Sequence, residues 1–399
     1  MSARHGPADF RPNVWSRYAI LTASMLIIMG AAAVAPALNG IEEEFGAGKL
    51  MTSLVVTLPA LAVACFGFPM GTMADKLGMR FTLILSLIIF TVFGIAGYFA
   101  TSIGMLLAMR FMVGVGIAGI ATADNALIGM YYSGPERAKV ITQQAVFMGL
   151  GVIVLEMLGG FLADIDWKSP FLVYAIGVPI LLFAFLGIYN IAGSGRAGPS
   201  DAPERNIPRR KARIILCYIS IFSAMFCLYV VTVNMSDYLV DMGESMALCG
   251  TILALLGAMN SVVPMVFNRA GIRLPLWKAA AVAFASYAAG MFLLIPSELV
   301  LAIIAVVLVG IGMGTIVPCL VGTISSLAVR GKEGKVLGAY SVFMNLGQFV
   351  SAIIVGTMID AAGFGDAFLA VGMAMAVLAA VISSAARAAF SDRPQRAAE

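Results

Sequence analysis

Charged residues are scarce in this chain. Asp, Glu, Lys and Arg make up only 12% of its 399 residues, while 61% are hydrophobic; soluble domains carry about 25% charged residues. A chain with so few polar groups cannot cover its own surface with them, so lipid is expected to be the solvent for most of it. The formal net charge of +4 is small, and no nucleic-acid partner is expected.

Residues for metal and histidine chemistry are also few. The single histidine, His5, lies in the N-terminal tail, and the five cysteines show no spacing typical of zinc sites or disulfide frameworks. We therefore expect no metal site, no cofactor and no enzyme activity. A membrane-embedded enzyme or a sensor is the alternative class, but the sequence has neither a paired-acid cluster nor an output domain.

One run of residues has the pattern of a nucleotide-binding motif but not its sequence context. Gly114-Val115-Gly116-Ile117-Ala118-Gly119 reads as G-x-G-x-x-G, but it lies inside a long apolar run with no strand before it. The pattern instead predicts a small-residue face where membrane helices pack closely.

Long apolar runs dominate what is present. About 20 apolar residues cross a bilayer as a helix, and the sequence predicts about twelve such spans. Their limits are 17–39, 50–71, 81–101, 104–130, 139–163, 170–192, 213–239, 246–267, 276–295, 299–323, 336–359 and 366–388.

The distribution of cations predicts the sidedness. With both termini placed in the cytoplasm, 22 Lys and Arg residues fall on the cytoplasmic side and only Lys49 and Lys168 fall on the other. The positive-inside rule therefore predicts a multi-pass protein of the cell (inner) membrane with both termini cytoplasmic.

The two halves of the chain repeat each other. Val113-Gly114-Val115-Gly116 recurs as Val309-Gly310-Ile311-Gly312, and Val146–Gly151 recurs as Val342–Gly347, both offset by 196 residues. We expect an N-terminal six-helix bundle over 1–192, a cytoplasmic linker over 193–212 and a C-terminal six-helix bundle over 213–399. Duplicated six-helix halves are typical of secondary transporters.

The loop between the second and third spans carries a family resemblance. Gly71, Ala74, Asp75, Lys76, Gly78 and Arg80 resemble the pattern G-x-L-A-D-[RK]-x-G-[RK]-[RK] of the major facilitator superfamily, with departures at Met73 and Met79. The resemblance covers nearly the whole chain and implies an all-α fold of 12 transmembrane helices in two pseudo-symmetric six-helix bundles. It also implies a conformational latch formed by Asp75, Arg80 and Asp124, and a monomer.

Two charges lie inside predicted spans. Arg110 precedes Gly114 as in the family's R-x-x-x-G pattern, and Glu156 replaces the proline of the fifth-span antiporter pattern G-x-x-x-G-P-x-x-G-G. Charges at this depth are expensive and typical of functional sites. Because Arg110 and Glu156 have similar depths, we predict that they pair and couple transport to protons. A static pair that joins the two helices is the alternative.

Other polar and aromatic residues of the spans are candidates for a mostly apolar substrate cavity, although helix packing is the alternative for each one. They are Phe226, Tyr229, Asn234, Met259, Asn260, Phe343, Asn345 and Gln348.

These features predict a proton-coupled secondary transporter that works by alternating access. Glu136-Arg137-Ala138 and Trp167-Lys168-Ser169-Pro170-Phe171 are similar to the drug:H+ antiporter branch, so export of a small amphipathic compound or metabolite is the first expectation. Proton-linked uptake of a small organic anion, with Arg110 as the anion's partner, is the alternative.

Overall fold

The computed structural model describes residues 12–132, 134–189, 209–272, 274–327 and 333–390. These residues are almost entirely helical and include no strand. Most of the predicted linker, 193–212, lies outside them.

The described residues of the first half form seven α-helices and three 3₁₀ stretches. They are α1 (Val14–Ala32), the 3₁₀ turn Ala35–Ala37, α2 (Leu38–Phe45), α3 (Lys49–Leu77), α4 (Met79–Ala96), the 3₁₀ turn Gly97–Phe99, α5 (Ile103–Tyr131), α6 (Gly134–Ala163), the 3₁₀ stretch Ser169–Ile176 and α7 (Gly177–Gly187). The second half contains α8 (Arg210–Val240), α9 (Met246–Arg269), α10 (Leu276–Leu293), α11 (Leu299–Leu327) and α12 (Glu333–Phe390).

The described residues form 11 helical stretches that are long and apolar enough to cross a membrane. The last one, α12, has 58 residues, about 87 Å at 1.5 Å per residue, far more than one bilayer requires. Gly363 interrupts it with φ 82°, a left-handed value that favours glycine. The break falls between the predicted spans 336–359 and 366–388, so the prediction of twelve spans is confirmed.

Glycine also makes the connection between α3 and α4 very short. Gly78, with φ 94°, is the single residue between the two helices. The 71–80 motif thus adopts a tight helix–helix turn, and its last residues begin α4.

Small-residue contacts repeat between the halves at the predicted offset. Gly116 packs α5 on α4, where an added Cβ would lie 2.8 Å from the Phe90 nitrogen, and Gly312 packs α11 on α10 at Ala283 and Tyr287. Gly151 likewise faces α1, and its counterpart Gly347 faces α8. The repeat predicted from sequence therefore corresponds to repeated helix packing, and the G-x-G-x-x-G run is a packing face.

The chain divides into two compact units, which differ in one respect from the predicted halves. The first unit holds Met1–Arg196 together with Thr232–Ala258, and the second holds Ala197–Val231 and Met259–Glu399. Within the first unit, Gly250 of α9 meets Gly160 of α6, where an added Cβ would lie 2.9 Å from the Gly160 Cα. Two facing glycines let these helix backbones approach closely.

Candidate functional site

Glu156 is a buried carboxyl with an unsatisfied oxygen. It lies on α6, is 5% exposed, and its Oε2 atom has no hydrogen-bond partner among the described residues. The side chain points towards α9, where Oε2 is 3.7 Å from the position that a Cβ would take at Gly257. A Cβ at Gly257 would also lie 2.3 Å from Val152 Cγ1, so the glycine lets α9 pack closely against α6 beside the carboxyl.

Arg110 is also buried, at 1% exposure, but its donors are engaged. Nε donates to the Val55 carbonyl at 2.7 Å, and the two terminal nitrogens donate to the Tyr174 hydroxyl and to the Gly30 carbonyl. Its guanidinium also lies 5.7 Å from the centre of the Tyr174 ring.

The backbone explains why these carbonyls are available. Pro59 of α3 has no N–H, so the Val55 carbonyl four residues earlier lacks its helical donor. Gly30 lies in the last turn of α1, where carbonyls have no partner within the helix, and Tyr174 donates to the adjacent Met29 carbonyl at 3.2 Å. Arg110 therefore satisfies backbone acceptors that the helices leave open.

The predicted pair of Arg110 and Glu156 is wrong for this structure. Their depths are similar, but Arg110 faces α1 and α3 while Glu156 faces α9. Depth along a helix does not determine the direction in which a side chain points, so equal depth is not sufficient for contact.

The predicted latch is not formed either. Asp75 is exposed, and the Arg80 guanidinium donates to the Phe185 carbonyl at 3.1 Å and lies 6.0 Å from the centre of the Tyr189 ring. Asp124 is completely buried, and its hydrogen-bond donors are Ser24 and Gln144 instead of Arg80.

Asp124 instead joins three helices of the first unit. Its Oδ2 atom accepts from the Ser24 hydroxyl of α1 at 2.6 Å and from the Gln144 amide of α6 at 2.9 Å. Its Oδ1 atom has no hydrogen-bond partner among the described residues.

Four of the predicted cavity residues are buried or contact side chains and backbone of their own unit. Asn234 is 3% exposed in the first unit. In the second unit, Phe343 stacks on Tyr218 with ring centres 5.0 Å apart, Asn345 donates to the Ser341 carbonyl of its own helix, and Gln348 contacts the Met225 sulfur at 3.7 Å. A role in substrate binding stays a prediction for these three and for Phe226, Tyr229, Asn234, Met259 and Asn260.

Sequence reasoning missed an ion network in the first unit. Lys49 at the start of α3 forms ion pairs with Glu42 of α2 at 2.9 Å and with Asp237 of α8 at 3.0 Å. Asp237 is only 4% exposed. The available signal was that Lys49 is one of only two cations on its predicted side of the membrane.

A second contact attaches α9 to α6 near this network. The Asp164 carboxylate accepts from the backbone nitrogens of Met246 at 2.7 Å and Ala247 at 3.1 Å. These are the first residues of α9, where unpaired N–H groups favour an anion. Asp164 also borders a cavity of about 520 Å³ with Glu43, Glu44 and Trp167.

We expect the substitution Lys49→Met to destabilise the first unit, because it leaves the buried Asp237 without its cation. The loss is expected to be about 2 kcal/mol, between the values for exposed and buried pairs. Thermal unfolding in nanodiscs measures it, and adding Asp237→Asn should recover most of the loss. Lys168→Met removes the other cation on that side and is the matched control. An equal loss in Lys168→Met would contradict the network's role.

A family model for the Major Facilitator Superfamily matches residues 20–352. The chain belongs to the major facilitator superfamily. This is a family of transporters rather than enzymes, and the 12-helix arrangement described above agrees with its fold. Membership therefore confirms the resemblance seen in the Asp75 loop.

Several transporters of the superfamily are similar to the chain over part of their length. The multidrug efflux protein YfmO of Bacillus subtilis is 32% identical over 170 residues, which cover 42% of this chain and 41% of that protein. The 4-hydroxybenzoate transporter PcaK of Pseudomonas aeruginosa is 24% identical over 168 residues, which cover 41% of this chain and 36% of that protein. The chain thus matches about two fifths of the length of these relatives.

Solved superfamily structures match over nearly the whole chain. A bacterial homolog of the human lysosomal transporter Spinster has a TM-score of 0.73 and 15% identity, and covers 94% of this chain and 96% of that one. A POT family transporter in complex with 5-aminolevulinic acid has a TM-score of 0.76 and 13% identity, with the same two coverages. At such identities the likeness supports the fold alone.

Proposed function

We propose that this superfamily member is a proton-coupled secondary transporter that works by alternating access and exports a small amphipathic compound or metabolite. The observation that carries the proposal is Glu156, a carboxyl buried in a membrane-spanning helix with an unpartnered oxygen. The multidrug efflux relative supports the direction of transport.

The physical argument starts from the cost of the charge. An ionised carboxylate without a partner is expensive in a medium of low dielectric, and taking up a proton removes that cost. When the surroundings of Glu156 open to water, the ionised form is stabilised again. Proton uptake and release at Glu156 therefore favour different conformations, which is the linkage that coupled transport requires.

The repeat supports a functional role for Glu156. Its counterpart at the offset of 196 is Ala352, which is also buried at 3% exposure. In the second half, the equivalent helix therefore packs with only the methyl side chain of Ala352 at this position. Since packing does not require an acid here, the carboxyl in the first half serves another purpose.

A second candidate function is proton-linked uptake of a small organic anion. The similarity to a 4-hydroxybenzoate transporter favours it. The geometry of Arg110 does not, because all three of its guanidinium nitrogens already donate to groups of the protein and the side chain is buried. Uptake of an anion would need a different cationic partner.

The proposed setting is the cell membrane, with lipid, protons and a small-molecule substrate as partners and a monomer as the working unit. Both termini are placed in the cytoplasm. The support for this orientation is the excess of Lys and Arg in the connections assigned to that side.

Proteoliposomes separate the two functions. The purified protein is reconstituted with a pH-sensitive dye inside, and cationic amphipathic dyes and aromatic carboxylates are added in turn. We expect the cationic compounds to move in exchange for protons. Carboxylates that enter together with protons would instead establish the second function, and movement of any substrate without protons would contradict both.

A further inference from the structure

Asp124 is a fully buried carboxyl of the first unit, and the proposed transport step does not use it. We propose that Asp124 is a second proton-binding group, with Ser24 as the hydrogen-bond partner that accommodates both of its protonation states. The inference rests on the proposed function for its role in transport, but proton binding at Asp124 can be measured without substrate.

The Ser24 hydroxyl is the first observation. Its oxygen lies 2.6 Å from Asp124 Oδ2 and 2.9 Å from the Ile20 carbonyl. A hydroxyl has one proton to donate and two lone pairs to accept with. It can donate to only one of these two oxygens at a time.

The two protonation states of Asp124 use the same heavy-atom positions. When the carboxyl is ionised, Ser24 donates to Oδ2. When Oδ2 carries a proton, Asp124 donates to Ser24 and Ser24 donates to Ile20, so both short distances are hydrogen bonds. Turning one hydroxyl therefore lets the same site accommodate both protonation states of Asp124, while the proton itself is exchanged with water when the site opens.

The unpartnered Oδ1 atom is the second observation. An ionised carboxylate places charge on both oxygens, and a buried charged acceptor without a donor is costly. In the neutral acid, Oδ1 is an uncharged carbonyl oxygen, and leaving it without a donor costs less. The neutral acid is therefore stable in this site without a donor to Oδ1. The ionised form is stabilised by the hydrogen bonds that Ser24 and Gln144 donate to Oδ2.

No described charged side chain neutralises Asp124. The charges on the helices packed against α5 lie elsewhere: Arg17 of α1 donates to Gln143, Arg80 of α4 donates to Phe185, and Arg137 of α6 lies beside Gly129. Asp75 and Lys76 at the end of α3, and Glu136 and Lys139 at the start of α6, are exposed. Asp124 therefore has neutral donors but no counter-ion among these groups.

The second half again provides a comparison. Ser24 corresponds to Ser220 at the offset of 196, while Asp124 corresponds to Leu320, and both counterparts are completely buried. The scaffold therefore buries an aliphatic side chain at the equivalent position of α11. A purely structural role would not require an acid in α5.

Infrared difference spectroscopy of the substrate-free protein tests the proposal. Spectra are recorded in nanodiscs between acidic and alkaline pH, and the carbonyl band of protonated carboxylic acids is followed. We expect Asp124→Asn to remove one component of this band and Glu156→Gln to remove a different one. Asp75→Asn, at an exposed acid, is the matched control and should remove none of the band from buried acids.

The variant Ser24→Ala provides a second infrared test of the proposal if Asp124→Asn does not fold. Because the acid loses its acceptor, the Asp124 component should persist at a shifted frequency. An unchanged band in folded Asp124→Asn, or an unshifted band in Ser24→Ala, would overturn the proposal. Failure of substrate-linked proton movement would contradict the proposed function while leaving this result intact, so the two failures are distinguishable.

Discussion

Arg110→Leu is expected to destabilise the first unit more than any other single substitution considered. The change removes the donors of the Val55 and Gly30 carbonyls and of the Tyr174 hydroxyl. Each buried acceptor left unsatisfied costs about 1–3 kcal/mol, and no water is available in the bilayer core to replace the lost donor. The measurement is thermal unfolding in nanodiscs, with the yield of monodisperse protein as a second readout.

Pro59→Ala provides a specific rescue. It restores an N–H four residues after Val55, so the Val55 carbonyl regains a helical partner. The loss caused by Arg110→Leu should therefore be smaller in the Pro59→Ala background. Arg110→Lys should be intermediate, because a single ammonium cannot span three separated acceptors. Equal losses in both backgrounds would contradict the explanation of Arg110 as a donor to open backbone groups.

Glu156→Gln is expected to abolish proton-driven transport while leaving the fold intact. Glutamine keeps the size of the side chain but cannot gain or lose a proton in the working pH range. Transport driven by an imposed pH gradient should fall by about two orders of magnitude, a loss typical of removing a positioned proton-transfer group. Substrate exchange without a gradient should continue.

The control is Glu136→Gln, which removes an exposed acid at the other end of α6. It should transport like the wild type. Loss of gradient-driven transport and of exchange together in Glu156→Gln would indicate a structural role instead of proton coupling.

Much of the fold could be predicted from the sequence, because the order of apolar and charged residues along the chain determines where the membrane spans begin and end. The apolar runs predicted twelve spans, and the repeat of 196 residues predicted paired glycine contacts such as Gly116 and Gly312. The assignment of Thr232–Ala258 to the first unit was not predicted. Contacts such as Gly160 with Gly250 and Lys49 with Asp237 accompany this assignment, and sequence alone does not show that these residues meet.

The site was less predictable because it depends on the direction in which each helix faces. Arg110 and Glu156 were found by their depth, but depth says nothing about rotation about the helix axis. Pro59 was a usable signal for Arg110, since a proline within a membrane helix leaves a carbonyl in need of a donor. Ser24 and Gln144 gave no comparable signal, because small or neutral polar residues are common in helix packing.

The internal pH of vesicles during substrate transport tests the proton-coupling role of Glu156 most directly. Wild-type protein and Glu156→Gln are reconstituted at equal density, and substrate is added in the absence of a pH gradient. We predict an internal pH change with the wild type and none with Glu156→Gln, although labelled substrate still exchanges in both. The same pH change in both proteins would contradict the account, because protons would then cross without the carboxyl of Glu156.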